Sequence, residues 1–294
     1  MEEGAPKFDS LTVKQVLEFN MNNTIPMLDM YIDDSNNDKE PIHWTKELID
    51  EYVSNFTLEK VINHNQEPSC GHIQEPYNNA SIMILMACEK YGFLKDPVDQ
   101  AGSEKTVGSA DPVKVAVIGS ITPWVEALII NCGLHSGINY EITTVEYNVP
   151  ICEDPRIKTI SFEEFKSIDN ETFDLIISYS SIEHSGLGRY GDLINPVGDL
   201  FTMSVIHSKL KQDPNNPYNG LLFLGIPVGK DSVVFNAHRI YGPKRLELLF
   251  KDFEEVEWIG LERSFIDTCE LMNYGPQPVI VLRKIEDNKE KIIM

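Results

Sequence analysis

Two kinds of hydrophobic period divide the chain near residue 112. Before it, apolar residues recur at helical spacing. Ser10–Asn20 carries Leu11, Val13, Val16, Leu17 and Phe19, and His43–Phe56 carries Trp44, Leu48, Ile49, Tyr52, Val53 and Phe56. Asn79–Tyr91 is a more apolar helix stopped by Gly92. Asp33–Pro41 (DDSNNDKEP) reads as a solvated loop. From Leu94 to Asp111 periodicity gives way to Pro, Gly, Ser and charge, which reads as a linker.

After the linker, short apolar runs alternate with amphipathic ones. VKVAVIG (Val113–Gly119) reads as a buried strand, Pro123–Cys132 as a helix with proline in its first turn, and YEITTVEY (Tyr140–Tyr147) as a second strand. RIKTI (Arg156–Ile160) is a short third strand and FDLIISYSS (Phe173–Ser181) a fourth. A helix over Asp199–Leu210 leads to a fifth, GLLFLGIPV (Gly220–Val228). A helix over Pro243–Phe250 and strands near Val256–Leu261 and Pro278–Arg283 complete the pattern. Alternating strands and helices predict a mostly parallel sheet covered on both faces. The last two strands lack a long helix between them and predict an antiparallel hairpin at the sheet edge. The expected fold is therefore α/β, with a helical region and linker over 1–112 and a Rossmann-like domain over 113–294.

Charge narrows the partners. Acidic residues number 46 against 25 basic ones, for a net charge of −21. Residues 1–112 contribute −12 of this (20 acids, 8 bases) and the rest −9. Such a surface repels phosphate backbones, so no nucleic-acid partner is expected. No apolar run reaches the ~20 residues of a membrane span. The five cysteines, Cys70, Cys88, Cys132, Cys152 and Cys269, form no CxxC pair, which argues against a zinc or disulfide framework. MEEGAPKFDS has neither a basic nor an apolar leader region, so a cytoplasmic location is expected. Sequons at Asn22, Asn55, Asn79 and Asn170 leave a secretory route as the alternative, for a chain trimmed of its leader.

In an open α/β sheet, ligands bind beyond the carboxyl ends of the strands. The first such loop is GSITPW, where Gly119 allows close backbone approach beside Ser120 and Trp124. It contains no GxGxxG, which disfavours a dinucleotide site. The second strand ends at Glu146, followed by Tyr147. An acid there can accept hydrogen bonds from ribose hydroxyls. The fourth strand runs into SYSSIEHSGLGRYGD (Ser178–Asp192), the densest polar patch. There His184 is a candidate general base, with Glu183 beside it. After the fifth strand, Asn236, His238, Arg239 and Tyr241 fall on the same rim. Each has a plainer alternative: a strand–helix turn at Gly119, a surface acid at Glu146, a capping carboxylate at Glu183, a charge partner at Arg239, a packed ring at Tyr241.

The order GSITPWVEAL, TTVEYN, SYSSIEHSGLGRYGD, GLLFLGIPVGKD and FNAHRIYGPKRLELLF resembles the nematode-type family labelled domain of unknown function 268, over about Val113 to Arg283. That family looks like a divergent branch of class I S-adenosylmethionine-dependent methyltransferases. The resemblance implies that fold and that cofactor. It implies Glu146 at the ribose, Gly119 and Ser120 at the methionine side, and Ser180 and Ser181 near the adenine or methyl group, with Trp124 and Tyr147 as further cofactor contacts. Its E/DxGxGxG loop survives only as Val117-Ile118-Gly119-Ser120-Ile121-Thr122. Its metal-binding ExxEH pattern is SxxEH here, opening at Ser180, so no metal is expected.

Together these readings predict methyl transfer to a small-molecule acceptor, such as a sugar or metabolite hydroxyl. His184 is the first candidate base and His238 the second, with Glu183 alongside. Arg189, Tyr190, Asn236, Arg239 and Tyr241 are the candidate substrate contacts. The rival is a methyltransferase-like binding or scaffold protein without activity. A nucleotide-sugar enzyme would be expected to show a DxD triplet, and none occurs.

Overall fold

The computed structural model describes residues 4–34, 41–66, 77, 79–95, 111–212 and 220–285. Most of the expected 33–41 loop and 94–111 linker, and Cys70, lie outside these residues. The N-terminal part comprises α1 (Val13–Phe19), β1 (Met27–Met30), β2 (His43–Trp44), α2 (Lys46–Asn55), α3 (Leu58–Gln66) and α4 (Ala80–Lys90). Local chemistry sets several starts. Thr12 and Gln15 form a reciprocal capping box on α1, and the Thr45 hydroxyl accepts from the Leu48 N–H on α2.

The sheet region follows as β3 (Val113–Ile118), α5 (Trp124–Ser136), β4 (Tyr140–Glu146), β5 (Ile151–Cys152), β6 (Ile157–Ser161), α6 (Phe162–Ser167) and β7 (Leu175–Tyr179). It continues with α7 (Gly198–Lys209), β8 (Leu221–Gly225), β9 (Ser232–Asn236), β10 (His238–Ile240), α8 (Pro243–Leu249), β11 (Phe253–Ile259), α9 (Phe265–Thr268) and β12 (Val279–Lys284). The strand order of the large sheet is β11-β12-β8-β7-β3-β4-β6. β6, β4, β3, β7 and β8 are parallel, while β12 runs antiparallel to both β8 and β11. The five parallel strands thus read third-second-first-fourth-fifth, as in doubly wound folds. The expected hairpin closes the edge. This is a Rossmann-like α/β fold with an antiparallel edge hairpin.

Strand residues alternate between two cores, as the pleat requires. Val115 and Val117 of β3, with Leu221 and Phe223 of β8, face a layer made by α2, α3, α4 and α5. Ala116 and Ile118, with Leu222 and Leu224, face α6, α7 and α8. The N-terminal helices therefore share a core with the sheet. Two small sheets lie outside the pattern read from sequence: β1 pairs with β9, which pairs with β10, and β2 pairs with β5. The order of the main sheet reverses at β3, between β4 on one side and β7 on the other. The loops after these three strands border the candidate site.

Candidate functional site

Beyond β3, β4 and β7 lies an open cleft of about 780 Å³, part of it continuous with solvent. The cavity proper measures about 180 Å³, smaller than the roughly 300–1,000 Å³ of most drug-sized sites. Gly119, Glu146, Tyr147 and Ser181 all line it. Gly119 sits at φ +80°, a conformation glycine adopts without a Cβ penalty, and its N–H donates to the Val145 carbonyl at 3.0 Å. Glu146 ends β4 and accepts from the Tyr147 N–H at 2.8 Å. Further along the cleft are Phe162 and Phe201, edge-to-face at 6.4 Å, with the Lys166 ammonium about 6 Å from both ring centres (6.0 and 5.9 Å). Sequence reasoning missed these three. Their signal was faint: Phe162 directly after the third strand, Lys166 one turn on, and an exposed Phe201 in the helix after the fourth strand.

The remaining residues expected near the cofactor sit elsewhere. Ser120 is buried beneath the first loop and bonds to Glu126 and to the Thr122 carbonyl. Trp124 belongs to an aromatic cluster with Phe56, Tyr77 and Tyr179. Ser180, in left-handed backbone at φ +52°, donates to Glu183 Oε1 at 2.8 Å and meets Gln277 Nε2 at 3.3 Å.

Glu183 and His184 occupy a short 3-10 turn, Ile182–His184, after β7. Glu183 is buried, its Oε2 has no hydrogen-bond partner among the described residues, and burial pushes its pKa up to about 7. His184 Nδ1 is 2.6 Å from the Ala237 carbonyl. A carbonyl only accepts, so Nδ1 carries the proton and Nε2 keeps its lone pair. Nε2 lies 3.7 Å from Glu183 Oε1. Burial and the Arg189 charge lower the His184 pKa to about 3, so the ring is neutral at ordinary pH. Tyr190 and His238 stand perpendicular to the His184 ring at 5.6 and 6.4 Å. His238 is itself tied to the Asn273 carbonyl through Nε2 at 2.6 Å. Glu183, His184, Arg189, Tyr190 and His238 are thus brought together.

Asn236, Arg239 and Tyr241 are held by protein groups. The Asn236 amide bonds both the N–H and the carbonyl of Ile32, which pins the chain just after β1 to β9. Arg239 is buried and donates to the carbonyls of Glu183 and Ser185 at 3.2 and 2.7 Å. The Tyr241 hydroxyl donates to Asp199 at 3.1 Å. Asp199, at the start of α7, also takes Arg245 and lies 3.7 Å from Arg239 Nε. Burial alone would raise its pKa, but the two guanidiniums prevail and hold it low. Arg189 reaches Asp34 at 2.6 Å, so the N-terminal segment grips the loop after His184. No group of three or more His, Cys, Asp or Glu side chains able to hold a metal occurs among the described residues.

No match was found among curated proteins. Among solved structures, the chain is similar to the citrinin polyketide synthase CMeT domain, with 11% identity and a TM-score of 0.38 over 60% of this chain and 48% of that one. It is similar to a SAM-dependent methyltransferase from Archaeoglobus fulgidus, with 16% identity and a TM-score of 0.34 over 59% of this chain and 86% of that one. It is also similar to TehB from Haemophilus influenzae, with 14% identity and a TM-score of 0.34 over 60% and 59%. The chain thus spans about half of the citrinin synthase chain. A family model described as Caenorhabditis protein of unknown function, DUF268, matches residues 113–270 of the 294, and the chain belongs to that family.

Proposed function

We propose that the cleft binds S-adenosylmethionine and that the protein transfers its methyl group to a hydroxyl of a small-molecule acceptor. One observation carries the reading: Gly119 and Glu146 line a single cleft at the point where the strand order reverses. The cleft's chemistry fits the cofactor. Glu146 is an acceptor for a ribose diol, and the Phe162–Phe201–Lys166 corner offers apolar faces to a flat base. Gly119 gives close backbone access at the other end, where the Ser181 side chain borders it.

When bound, the cofactor supplies an electrophilic methyl group. The residues of this chain orient the acceptor and take its proton. His184 Nε2 is the proposed base: its lone pair is fixed by the Nδ1–Ala237 bond, and although the ring does not itself line the cleft, it sits between Ser181 and Ser185, which do. Glu183 Oε1 lies 3.7 Å from Nε2, outside hydrogen-bond distance, and accepts from the Ser180 hydroxyl. Arg239 is a positioning residue that fixes the backbone of this turn through the Glu183 and Ser185 carbonyls. The second reading, binding without transfer, is favoured by a first loop that keeps a single glycine. Incubating the protein with methyl-labelled S-adenosylmethionine and a panel of sugars and hydroxylated metabolites separates the two. Label transfer that is lost in His184→Gln supports the enzyme. Cofactor binding with no transfer to any acceptor supports the binding protein.

A further inference from the structure

We infer, resting on the cofactor reading above, that Glu126 is a positioning residue. Its carboxyl group, held in the acid form, ties the loop after β3 to the end of β4 and so fixes the spacing between Gly119 and Glu146. Neither the site above nor its chemistry uses this side chain. Yet it is the one acid in the apolar run Trp124–Cys132, and it is fully buried.

The hydrogen bonds assign the proton. Thr144 Oγ1 donates to Glu126 Oε1 at 2.7 Å, and Glu126 Oε2 lies 2.9 Å from Ser120 Oγ. Ser120 Oγ is also 3.0 Å from the Thr122 carbonyl. A hydroxyl has one proton, and a carbonyl can only accept it. Both contacts are hydrogen bonds when Ser120 donates to Thr122 and Glu126 Oε2 donates to Ser120. Burial pushes the Glu126 pKa up to about 7, in the direction this arrangement requires. The titratable groups whose charge reaches it are Glu146, at the end of β4, and Cys152, on β5. A carboxylate at 146 favours the acid form further. The helices α2, α3 and α4 meet α5 through apolar side chains and Asn131.

The linkage is short. Thr144 is two residues before Glu146, and Ser120 follows Gly119. The Gly119–Val145 backbone bond lies between them, and Trp44 holds the far side of the loop through the Ile121 carbonyl at 3.2 Å. One carboxyl group therefore braces both walls of the cleft from behind. Ionisation removes that donor, so Ser120 must turn its proton from the Thr122 carbonyl to the carboxylate, and the loop loses its internal Ser120–Thr122 bond.

The test compares wild type, Glu126→Gln and Glu126→Ala in two measurements. Hydrogen exchange at residues 119–123 reads the brace without ligand, and titration with S-adenosylhomocysteine near pH 6 and pH 8.5 reads the cleft. Wild type is expected to lose affinity about tenfold between the two pH values, the worth of one buried hydrogen bond. Glu126→Gln, which keeps a donor and has no charge to gain, binds within about threefold of wild type at the lower pH and is flat across the range. Glu126→Ala exchanges faster at 119–123 and binds about tenfold more weakly at both pH values. Wild-type affinity that does not change between the two pH values overturns the inference, even if the alanine variant does not fold. Exchange that follows the expected pattern, with no binding by wild type, overturns the cofactor reading and leaves the brace standing.

Discussion

Gly119 and Ser181 lie so close that a Cβ built on Gly119 would stand 2.0 Å from Ser181 Oγ and 2.2 Å from its Cβ. The first loop and the loop after β7 are therefore in direct contact across the top of the sheet. Gly119→Ala is expected to cost about 1–2 kcal/mol for left-handed backbone, plus the displacement of the Ser181 side chain. Adding Ser181→Gly removes the second part, because Ser181 Cα at 3.5 Å is an ordinary contact. Urea midpoints should show the double variant recovering much of the single variant's loss. A double variant no more stable than Gly119→Ala would mean the contact is not the constraint.

Three buried groups should each contribute to the pH dependence of stability. Glu126 and Glu183 are pushed up to about 7, chiefly by burial. Between about 4.5 and 7 the unfolded chain releases protons that the fold retains, so their contribution falls as pH rises through 7. His184, lowered to about 3, acts oppositely: the unfolded ring takes up a proton below about 6.5 that the fold refuses, so its contribution is lost as pH falls. Removing one glutamate isolates its share. Glu126→Gln should match wild type near pH 4 and exceed it near pH 8 by on the order of 3 kcal/mol in urea unfolding. An unchanged difference across that range would show that Glu126 ionises normally.

The buried charges around α7 form one unit. Asp199 accepts from Arg245 and Tyr241 and neutralises Arg239, which in turn holds the Glu183 turn. Asp199→Ala leaves two guanidiniums buried without their counter-charge and should cost about 3–5 kcal/mol in thermal or urea unfolding. A loss below about 1 kcal/mol would mean that water reaches these groups.

His184 should reveal itself in rate and not in cofactor binding. His184→Gln is expected to lower methyl transfer by about 10²–10⁴-fold while leaving S-adenosylhomocysteine affinity unchanged. Because the wild-type ring loses its proton near pH 3, no acid limb from His184 should appear between about pH 5 and pH 8 in the rate profile. A limb near pH 6.5 that disappears in His184→Gln would contradict a buried, neutral base.

The main sheet was legible because its strands are continuous apolar runs punctuated by glycine and proline. VKVAVI and LLFLG read as buried strands and are so, and the terminal hairpin followed from the missing crossover helix. β1, β9 and β10 were not legible. MLDM and HRI are too short to show a period, and β1 pairs with residues some 200 positions away. The cleft-side positions of Gly119, Glu146 and Ser181 follow from strand ends, which sequence marks well. Asn236, Arg239 and Tyr241 were equally visible as polar residues, but which way a polar side chain turns is decided by its tertiary partners. Here those are Ile32, Asp199 and the Glu183 and Ser185 carbonyls. Glu126 had a signal that went unread: a lone acid inside an apolar helix.

The central claim is a cofactor cleft walled by Gly119 and Glu146, and calorimetric titration with S-adenosylhomocysteine tests it most directly. Wild type should bind at a single site, and Glu146→Ala should lose at least about tenfold in affinity with its melting temperature unchanged. No heat from folded wild-type protein, or equal affinity in Glu146→Ala, would contradict the account.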